Sequence, residues 1–174
     1  MTIFNCTIYG TLTIIQLFWV MKMNYEDLLK ESEYENLIVK EKPLKYSNGR
    51  IMGNRIAIRK DMLTVEKKCA LAEELGHHYT SSGDILDQSL VSNRKQEHRA
   101  KFWAFRQLVS LFDIIRAHEY GCQNLYEMAE YLEVSENFLR DTIKVYRAKY
   151  GTGVKFDNYR ISFEPYLTIV KCFK

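Results

Sequence analysis

The strongest repeat of apolar positions in the chain runs from Thr64 to Thr80, where apolar or small residues return every three or four positions. These residues are Val65, Cys69, Ala72, Leu75, Gly76 and Tyr79. Their spacing predicts an amphipathic helix that packs one face on a core. The neighbouring stripe consists of Glu66, Ala70, Glu73 and His77. Its polar residues should line a surface at the edge of that core. Gly76 lacks a side chain and would let another backbone approach closely.

Before this helix, the pattern predicts one short helix and a small sheet. Residues 25–35 have the helical period, and the apolar run that starts at Leu37 is typical of a strand. A Gly-Asn turn signal stands between the apolar positions of residues 51–58, as in a β-hairpin. We expect a small antiparallel sheet packed on the helix that carries Glu73.

A second long helix is predicted from residue 97 onward. Its face toward the core consists of Glu97, Ala100, Ala104, Leu108 and Leu111. Glu97 would therefore be buried beside small residues, where an unpaired carboxylate costs free energy. A second apolar stripe on this helix consists of His98, Phe102, Phe105, Val109 and Phe112.

The C-terminal third predicts two further units. Residues 125–149 have the rhythm of a helix-turn-helix, with a Val-Ser turn between two apolar-periodic segments. Residues 151–163 alternate apolar and polar positions around an Asp-Asn pair, which is typical of a terminal hairpin. This order of helices and short strands predicts an α+β fold.

Composition favours a single intracellular globular protein. With 174 residues, of which 47% are hydrophobic and 13% aromatic, the chain can bury a sizeable core. A net charge of +3 indicates neither a strong nucleic-acid footprint nor an acidic tail. The four cysteines are widely scattered and form no Cys-x-x-Cys pair, so we expect reduced thiols rather than a disulfide framework or a zinc knuckle.

Residues 1–22 form an apolar leader. No charged residue lies between Ile3 and Met21, and the run is apolar enough for a membrane segment, although its Asn, Thr and Gln residues weaken that interpretation. It also lacks the basic start of a secretory signal. We interpret the leader as the result of a start site assigned too far upstream, with the natural protein beginning at Met21 or Met23. Membrane attachment is expected only if the leader is translated.

Candidate chemistry is concentrated in the Glu-Glu-Leu-Gly-His-His stretch of residues 73–78. It has nearly the His-Glu-x-x-His form, in which two residues four apart on a helix bind a metal and the second residue is the general base. Glu73 and His77 could bind a metal in this way, with Glu74 as the base, because a carboxylate ligates zinc as an imidazole does. If Glu74 and His78 were the ligands, the base would fall on a leucine, which cannot transfer a proton. A Glu/His pair at this spacing is also a common surface feature, so this stretch alone does not distinguish a metal site from an ordinary side-chain pair.

A metal held by two residues of one helix needs a third protein ligand, which catalytic zinc sites commonly take from a separate helix. Glu97 is the candidate, since a metal would satisfy a carboxylate buried at the end of an apolar stripe. Spacing alone also leaves His98 open as a ligand.

Together these residues resemble a known family. Residues 69–80, Cys-Ala-Leu-Ala-Glu-Glu-Leu-Gly-His-His-Tyr-Thr, and the later Glu-x-x-Ala-x-x-x-Ala segment that starts at Glu97 are similar to the ImmA/IrrE metallo-endopeptidases. The similarity runs from about Asn24 to about Lys171. Members of this family are small cytoplasmic zincins of bacteria, phages and integrative elements. Those of known role cleave a helix-turn-helix repressor and so release the genes that it silences.

The resemblance implies that Glu74 is the catalytic base and that Glu73, His77 and Glu97 are the ligands of a divalent metal. Better-known members have His at the position of Glu73. Two carboxylates and one imidazole give the metal more negative charge than a His-rich set does, so harder ions such as manganese become suitable besides zinc. The implied function is metal-dependent cleavage of a helix-turn-helix repressor of a phage or mobile element, in the cytoplasm.

The expected organisation after the leader has two parts. Residues 23–112 should form a zincin-like metallopeptidase core, and residues 113–174 a helical hairpin and a C-terminal β-hairpin packed on it. In zincins the sheet edge beside the metal can pair with an extended substrate, because an unpaired strand offers free backbone donors and acceptors. Residues 49–60 are therefore the candidate substrate-strand site.

Two alternative functions stay open. The first is a non-catalytic anti-repressor on the same fold, which would bind the repressor without cleaving it. The second is a DNA-binding regulator, in which the second helix of the helix-turn-helix segment would enter the major groove. The leading residues of that helix would be Glu136, Asn137, Arg140 and Asp141. Because two acids among these four would face phosphate, we expect a helical hairpin on the peptidase core instead of DNA binding.

Overall fold

The computed structural model of the chain describes residues 22–80 and 91–172. Its helices are α1 (Tyr25–Tyr34), α2 (Thr64–Thr80), α3 (Val91–Leu108), α4 (Leu111–Tyr120), α5 (Leu125–Leu132) and α6 (Glu136–Tyr150). Its strands are β1 (Ile38–Lys42), β2 (Gly49–Met52), β3 (Arg55–Arg59), β4 (Gly153–Phe156), β5 (Tyr159–Ser162) and β6 (Thr168–Lys171). This mixture of helices with two small sheets agrees with the predicted α+β class.

Helix α2 lies at the centre of the N-terminal half and packs against α1, β2, β3 and α3. The core residues that α2 and β3 share are Leu71, Ala72, Leu75, Ile56 and Ile58. Glu73 and His77 lie beside this buried face and stay partly exposed. The helical period of α2 therefore places its polar stripe at the edge of the core, as its pattern predicted.

The N-terminal sheet is mixed, so the prediction of an antiparallel sheet is wrong for one of its two strand pairs. β2 and β3 form the expected antiparallel hairpin, with Gly53 in the turn at φ +58°. β1 instead pairs with β3 in parallel, in the order β1-β3-β2. An apolar run such as residues 37–39 predicts a strand but carries no information about its neighbour. The chain passes to the far side of β3 before β2 begins, which makes β2 an edge strand next to α2.

Helices α2 and α3 approach most closely at Gly76. A Cβ atom on Gly76 would lie 2.3 Å from the backbone oxygen of Ala100, closer than real Cβ atoms come to a neighbouring backbone. Ala100 and Ala104 are fully buried on the facing side of α3. The expectation that Gly76 admits a second backbone is confirmed, and that backbone belongs to α3.

The long helix predicted from Glu97 through Leu111 is two helices. α3 ends at Leu108, and Ser110 caps the start of α4. The Ser110 hydroxyl accepts a hydrogen bond from the Asp113 N–H, and the Asp113 carboxylate accepts one from the Ser110 N–H. This reciprocal cap requires an extended backbone at Ser110, which interrupts the helix.

The segment predicted as a helix-turn-helix consists of α5 and α6, and its assignment to that motif stays a prediction. Glu133 ends α5 in a left-handed conformation at φ 54°. α6 then packs on α3, since the Tyr146 hydroxyl donates to the Val109 oxygen at 2.7 Å and the Phe138 ring lies 4.9 Å from the Phe105 ring. The C-terminal helices therefore share a core with the N-terminal half.

The C-terminal sheet has three strands rather than the two predicted. β4 and β5 form the expected antiparallel hairpin, with Asp157 in its turn at φ 52°. β6 then pairs with β5, also antiparallel. The four residues of β6 give too short an alternation to be recognised as a strand from the sequence.

Residues 22–80 and 91–172 contain no helix that is long and apolar enough to cross a membrane. The predicted leader of residues 1–22 lies outside the described residues except for Lys22. The division of the chain after residue 112 falls within α4 and stays a prediction.

We predict that Gly76→Ala destabilises the protein by about 1–3 kcal/mol, because the added methyl group would force α3 away from α2. Helix propensity alone gives the opposite sign, since alanine is favoured over glycine in a helix interior by about 1 kcal/mol. Thermal unfolding followed by circular dichroism should show a lower Tm for the variant. An unchanged or higher Tm would contradict the close approach.

Candidate active site

Glu74 lies against the edge strand β2. A Cβ atom on Gly49 would be 2.7 Å from Glu74 Oε1, so the carboxyl group contacts the bare backbone of the strand. The backbone N–H of Ile51 donates a hydrogen bond to the same carboxyl group. The residue predicted as the catalytic base is therefore held in position by the backbone of β2.

His77 and Glu97 meet across the interface between α2 and α3. His77 Nε2 lies 3.3 Å from Glu97 Oε2, and the two side chains are 15% and 29% exposed. Two ligand atoms bound to one tetrahedral zinc ion are roughly 3.3–3.5 Å apart, because each lies about 2.0–2.2 Å from the metal. The structure thus brings two of the predicted ligands to the separation of neighbouring ligands in such a site.

The other candidate histidines lie elsewhere. His78 Nε2 is 3.5 Å from Glu35 Oε2 at the end of α1, so this side chain pairs with α1 while His77 pairs with Glu97 on α3. His98, which spacing had left open as a ligand, is exposed. These positions support the register in which His77 is the candidate ligand.

Glu73, the third predicted ligand, lies one helical turn before His77 on α2. Burial raises the pKa of its carboxyl group, the charge of Lys101 opposes that rise, and the charge of Glu97 adds to it. Within the part of the chain that the structure describes, no three His, Cys, Asp or Glu side chains are grouped closely enough to hold a metal as they stand. Glu73 is therefore near the pair without completing it.

Lys101 is a charged neighbour of the site that the sequence pattern did not indicate. Its ammonium nitrogen lies 3.2 Å from Glu97 Oε1. Burial lowers the pKa of Lys101, but the hydrogen bond and charge of Glu97, with the charges of Glu73 and Asp141, outweigh burial and raise that pKa. The i, i+4 spacing of Glu97 and Lys101 was visible in the sequence. The approach of Asp141 from α6 was not, because it depends on tertiary packing.

Burial also dominates the electrostatics of the other two side chains on α2. It raises the pKa of Glu74 to about 7, while the Ile51 N–H lowers this pKa and the charges of Glu73 and Glu97 raise it further. Burial lowers the pKa of His77 and outweighs the opposing charge of Glu97. The neutral imidazole is thereby favoured, and this is the form that binds metals.

The side chains fit a divalent metal in their chemistry. Two carboxylates and one imidazole are ligands that zinc and manganese accept. Nδ1 of His77 is buried and finds no hydrogen-bond partner among the described residues, so the polar contact of this imidazole is made through Nε2, toward Glu97. His77 Nε2 and Glu97 are placed to bind one cation together, and Glu73, one turn earlier on α2, would be the third ligand.

Comparison with known protein families supports this interpretation. Residues 22–144 match the model of the M78 peptidase family, described as an IrrE N-terminal-like domain. The match spans well over half of the 174 residues and includes the four candidate site residues. The chain belongs to the M78 peptidase family. The resemblance to ImmA/IrrE metallopeptidases is thereby confirmed. No curated protein and no solved structure gave a significant match.

Membership of the M78 family makes this a metallopeptidase-type protein and implies a divalent metal at the level of the family. The match ends within α6, so it includes the N-terminal sheet, α1 to α5 and the start of α6. The C-terminal sheet lies beyond it. All the side chains described above as neighbours of the candidate site fall inside the match.

We predict that Glu74→Gln stabilises the metal-free protein at neutral pH. The pKa of Glu74 is about 7 in the folded protein against 4.5 ordinarily, so the folded state binds more protons between these pH values. The free energy of unfolding therefore falls as the pH rises through that range. Glutamine does not ionise, so the variant does not lose this free energy of unfolding as the pH rises. Its amide oxygen can still accept the hydrogen bond from the Ile51 N–H. The variant should exceed the parent by on the order of 1–3 kcal/mol near pH 8 and by little near pH 4.

Chemical denaturation with the metal chelated, at both pH values, measures this difference. Glu33→Gln on α1, which replaces an exposed carboxylate, controls for the loss of one negative charge. The same stability difference at both pH values would show that burial of the Glu74 charge is not its cause.

Proposed function

We propose that this M78-family protein is a cytoplasmic, metal-dependent endopeptidase that cleaves a helix-turn-helix repressor of a phage or mobile element. The observation that carries the proposal is the convergence of three parts on one face of α2. Glu74 lies against β2, His77 meets Glu97, and Glu73 is one turn before His77 on α2, where the charge of Glu97 acts on it. Metal-assisted hydrolysis of a peptide bond needs three things within reach of that bond. They are a base, a set of metal ligands and an open strand edge.

The free edge of β2 supports the binding of an extended polypeptide. β2 pairs with β3 on one side only. The Arg59 N–H donates to the Asn48 oxygen across this pair. By the alternation of an antiparallel ladder, Gly49 and Ile51 then direct their backbone groups away from β3. The Ile51 N–H holds Glu74, and the other outward groups of these two residues are placed for a substrate strand.

In the proposed reaction, Glu74 carries the proton. Its carboxylate takes a proton from the attacking water and later passes it to the amine nitrogen of the leaving peptide, so one group serves first as base and then as acid. A divalent metal bound by Glu73, His77 and Glu97 would polarise the scissile carbonyl and lower the pKa of that water. The contact of Glu74 with β2 keeps its carboxylate beside the edge where the peptide would lie.

The proposed substrate is a repressor protein, on the pattern of the ImmA/IrrE members of known role, and not DNA. At the start of α6, Arg140 Nε lies 3.0 Å from Glu136 Oε1, and Lys144 Nζ lies 2.8 Å from Asp141 Oδ1. These residues are at the positions that a recognition helix would present to DNA. Because each cationic group is paired with an acid of its own helix, this surface offers phosphate little net positive charge.

We predict about one metal ion per chain in protein expressed from Met23, and its loss in His77→Ala, because alanine removes the imidazole that faces Glu97. Elemental mass spectrometry after the supply of zinc and manganese measures the content and identifies the ion. His78→Ala is the matched control and should keep the metal, since His78 pairs with Glu35 instead.

A parent protein that takes up no metal would remove the peptidase proposal. The non-catalytic anti-repressor would then become the leading function. Retention of the metal by His77→Ala would leave the peptidase reaction open but would show that the ligand assignment is wrong.

We predict that Glu74→Gln keeps the metal and slows cleavage by about 100-fold or more, because the amide cannot accept the proton of the attacking water. The substrate to test is the helix-turn-helix repressor encoded nearest to this gene. Electrophoresis and mass spectrometry of the fragments give the rate and the cleavage site. Glu33→Gln is again the control and should cleave as the parent does. Cleavage by Glu74→Gln at the parent rate would contradict the mechanism.

A further inference from the structure

Lys101 lies where the negative charge of the candidate site is concentrated. Its ammonium nitrogen is 3.2 Å from one oxygen of Glu97, and the other oxygen of Glu97 is 3.3 Å from His77 Nε2. The charges of Glu73 on α2 and Asp141 on α6 also act on Lys101. One acid, Glu97, therefore contacts the ammonium group, and the charges of two further acids on other helices act on it.

An ordinary pair on a helix surface does not account for this arrangement. Glu97 and Lys101 have the i, i+4 spacing of such a pair, which contributes little by itself. Here, however, the charge of Glu73 on α2 also acts on the ammonium group that Glu97 contacts from α3. Glu73 and Glu97 are both only partly exposed, and their like charges repel each other. The positive charge of Lys101 acts on both carboxylates and offsets that repulsion.

We propose that Lys101 is a built-in counter-ion of the metal ligands, which neutralises them when no metal is bound and competes with the metal for Glu97. The inference rests on the metal site of the proposed function. Each oxygen of Glu97 already has a partner, one in Lys101 and one in His77. A metal that binds Glu97 would meet the ammonium group already held on the same carboxylate, and the two positive charges repel each other.

Lys101 is thus a positioning residue that sets the affinity for the metal, and not a ligand itself. The metal-free site is stabilised by Lys101, because its charge offsets that of Glu73 and Glu97. For the same reason, metal affinity is lower than the three ligands alone would give. The fraction of protein molecules that carry a metal ion then depends on the concentration of free metal.

The test is the dissociation constant for zinc and for manganese, measured on the full chain by competition with a chromophoric chelator. Lys101→Met removes the charge and keeps an apolar stem of similar length, and should bind each metal about tenfold more tightly or better. Lys30→Met is the matched control. It removes a lysine that is 68% exposed and pairs with Asp27 on α1, and should stay within about threefold of the parent.

Thermal unfolding supplies the second readout. With the metal chelated, Lys101→Met should have a lower Tm than the parent, since two carboxylates lose their counter-ion. On addition of zinc, its Tm should rise by more than that of the parent, because tighter binding stabilises the folded state further. A purely structural role would lower the Tm but leave the dissociation constants unchanged. Lys101→Gln provides the same test in a polar form if the methionine variant does not fold.

Each result separates this inference from the proposed function. Equal or weaker metal binding by the Lys101 variants, with binding by the parent, would overturn the counter-ion role and leave the metallopeptidase function intact. Failure of the parent and of all variants to bind metal would overturn the metal site and, with it, both proposals. Tighter binding by the Lys101 variants alone, and not by Lys30→Met, is the supporting result.

Discussion

The candidate site depends on the close approach of α2 and α3. At Gly76 the two helices are so near that a Cβ atom would meet the backbone oxygen of Ala100 at 2.3 Å. His77 follows Gly76 directly, and Glu97 lies about one helical turn before Ala100. The contact between His77 and Glu97 is therefore a consequence of how the two backbones pack. A side chain at the crossing point would separate the helices and, with them, the two candidate ligands.

This packing makes the site electrostatically costly. Glu73, Glu74 and Glu97 lie in one partly buried region, and burial is the largest cause of the raised pKa values of Glu73 and Glu74. A backbone N–H of β2, the imidazole of His77 and the ammonium group of Lys101 offset part of that cost. Carboxyl groups with shifted pKa values are typical of functional sites, because the chemistry of such sites needs them even though their burial lowers the stability of the fold.

Local patterns predicted the features that depend on near neighbours in the chain. The helical period of residues 64–80 gave α2 and its buried face, and the Gly-Asn and Asp-Asn pairs gave both hairpin turns. Strand order could not be predicted in this way, because the pairing of β1 with β3 depends on where the chain crosses the sheet. The motif indicated that His77 and Glu97 lie together, as they do, whereas the roles of the site residues stay predictions. The i, i+4 spacing of Glu97 and Lys101 was visible in the sequence, whereas the effect of Asp141 on Lys101 was not, because it depends on the packing of α6.

Through helix α6, the C-terminal half of the chain contributes to the electrostatics of the candidate site. The hydrogen bond from the Tyr146 hydroxyl to Val109 and the contact of the Phe138 and Phe105 rings fix α6 against the end of α3. Asp141 lies between those two anchors, and its charge therefore reaches Lys101. The family match continues to residue 144, just past Asp141 and well beyond the last candidate ligand. A boundary drawn before α6 would remove a buried hydrogen bond and one of the charges around Lys101, so the electrostatic balance of the site belongs to both halves of the chain.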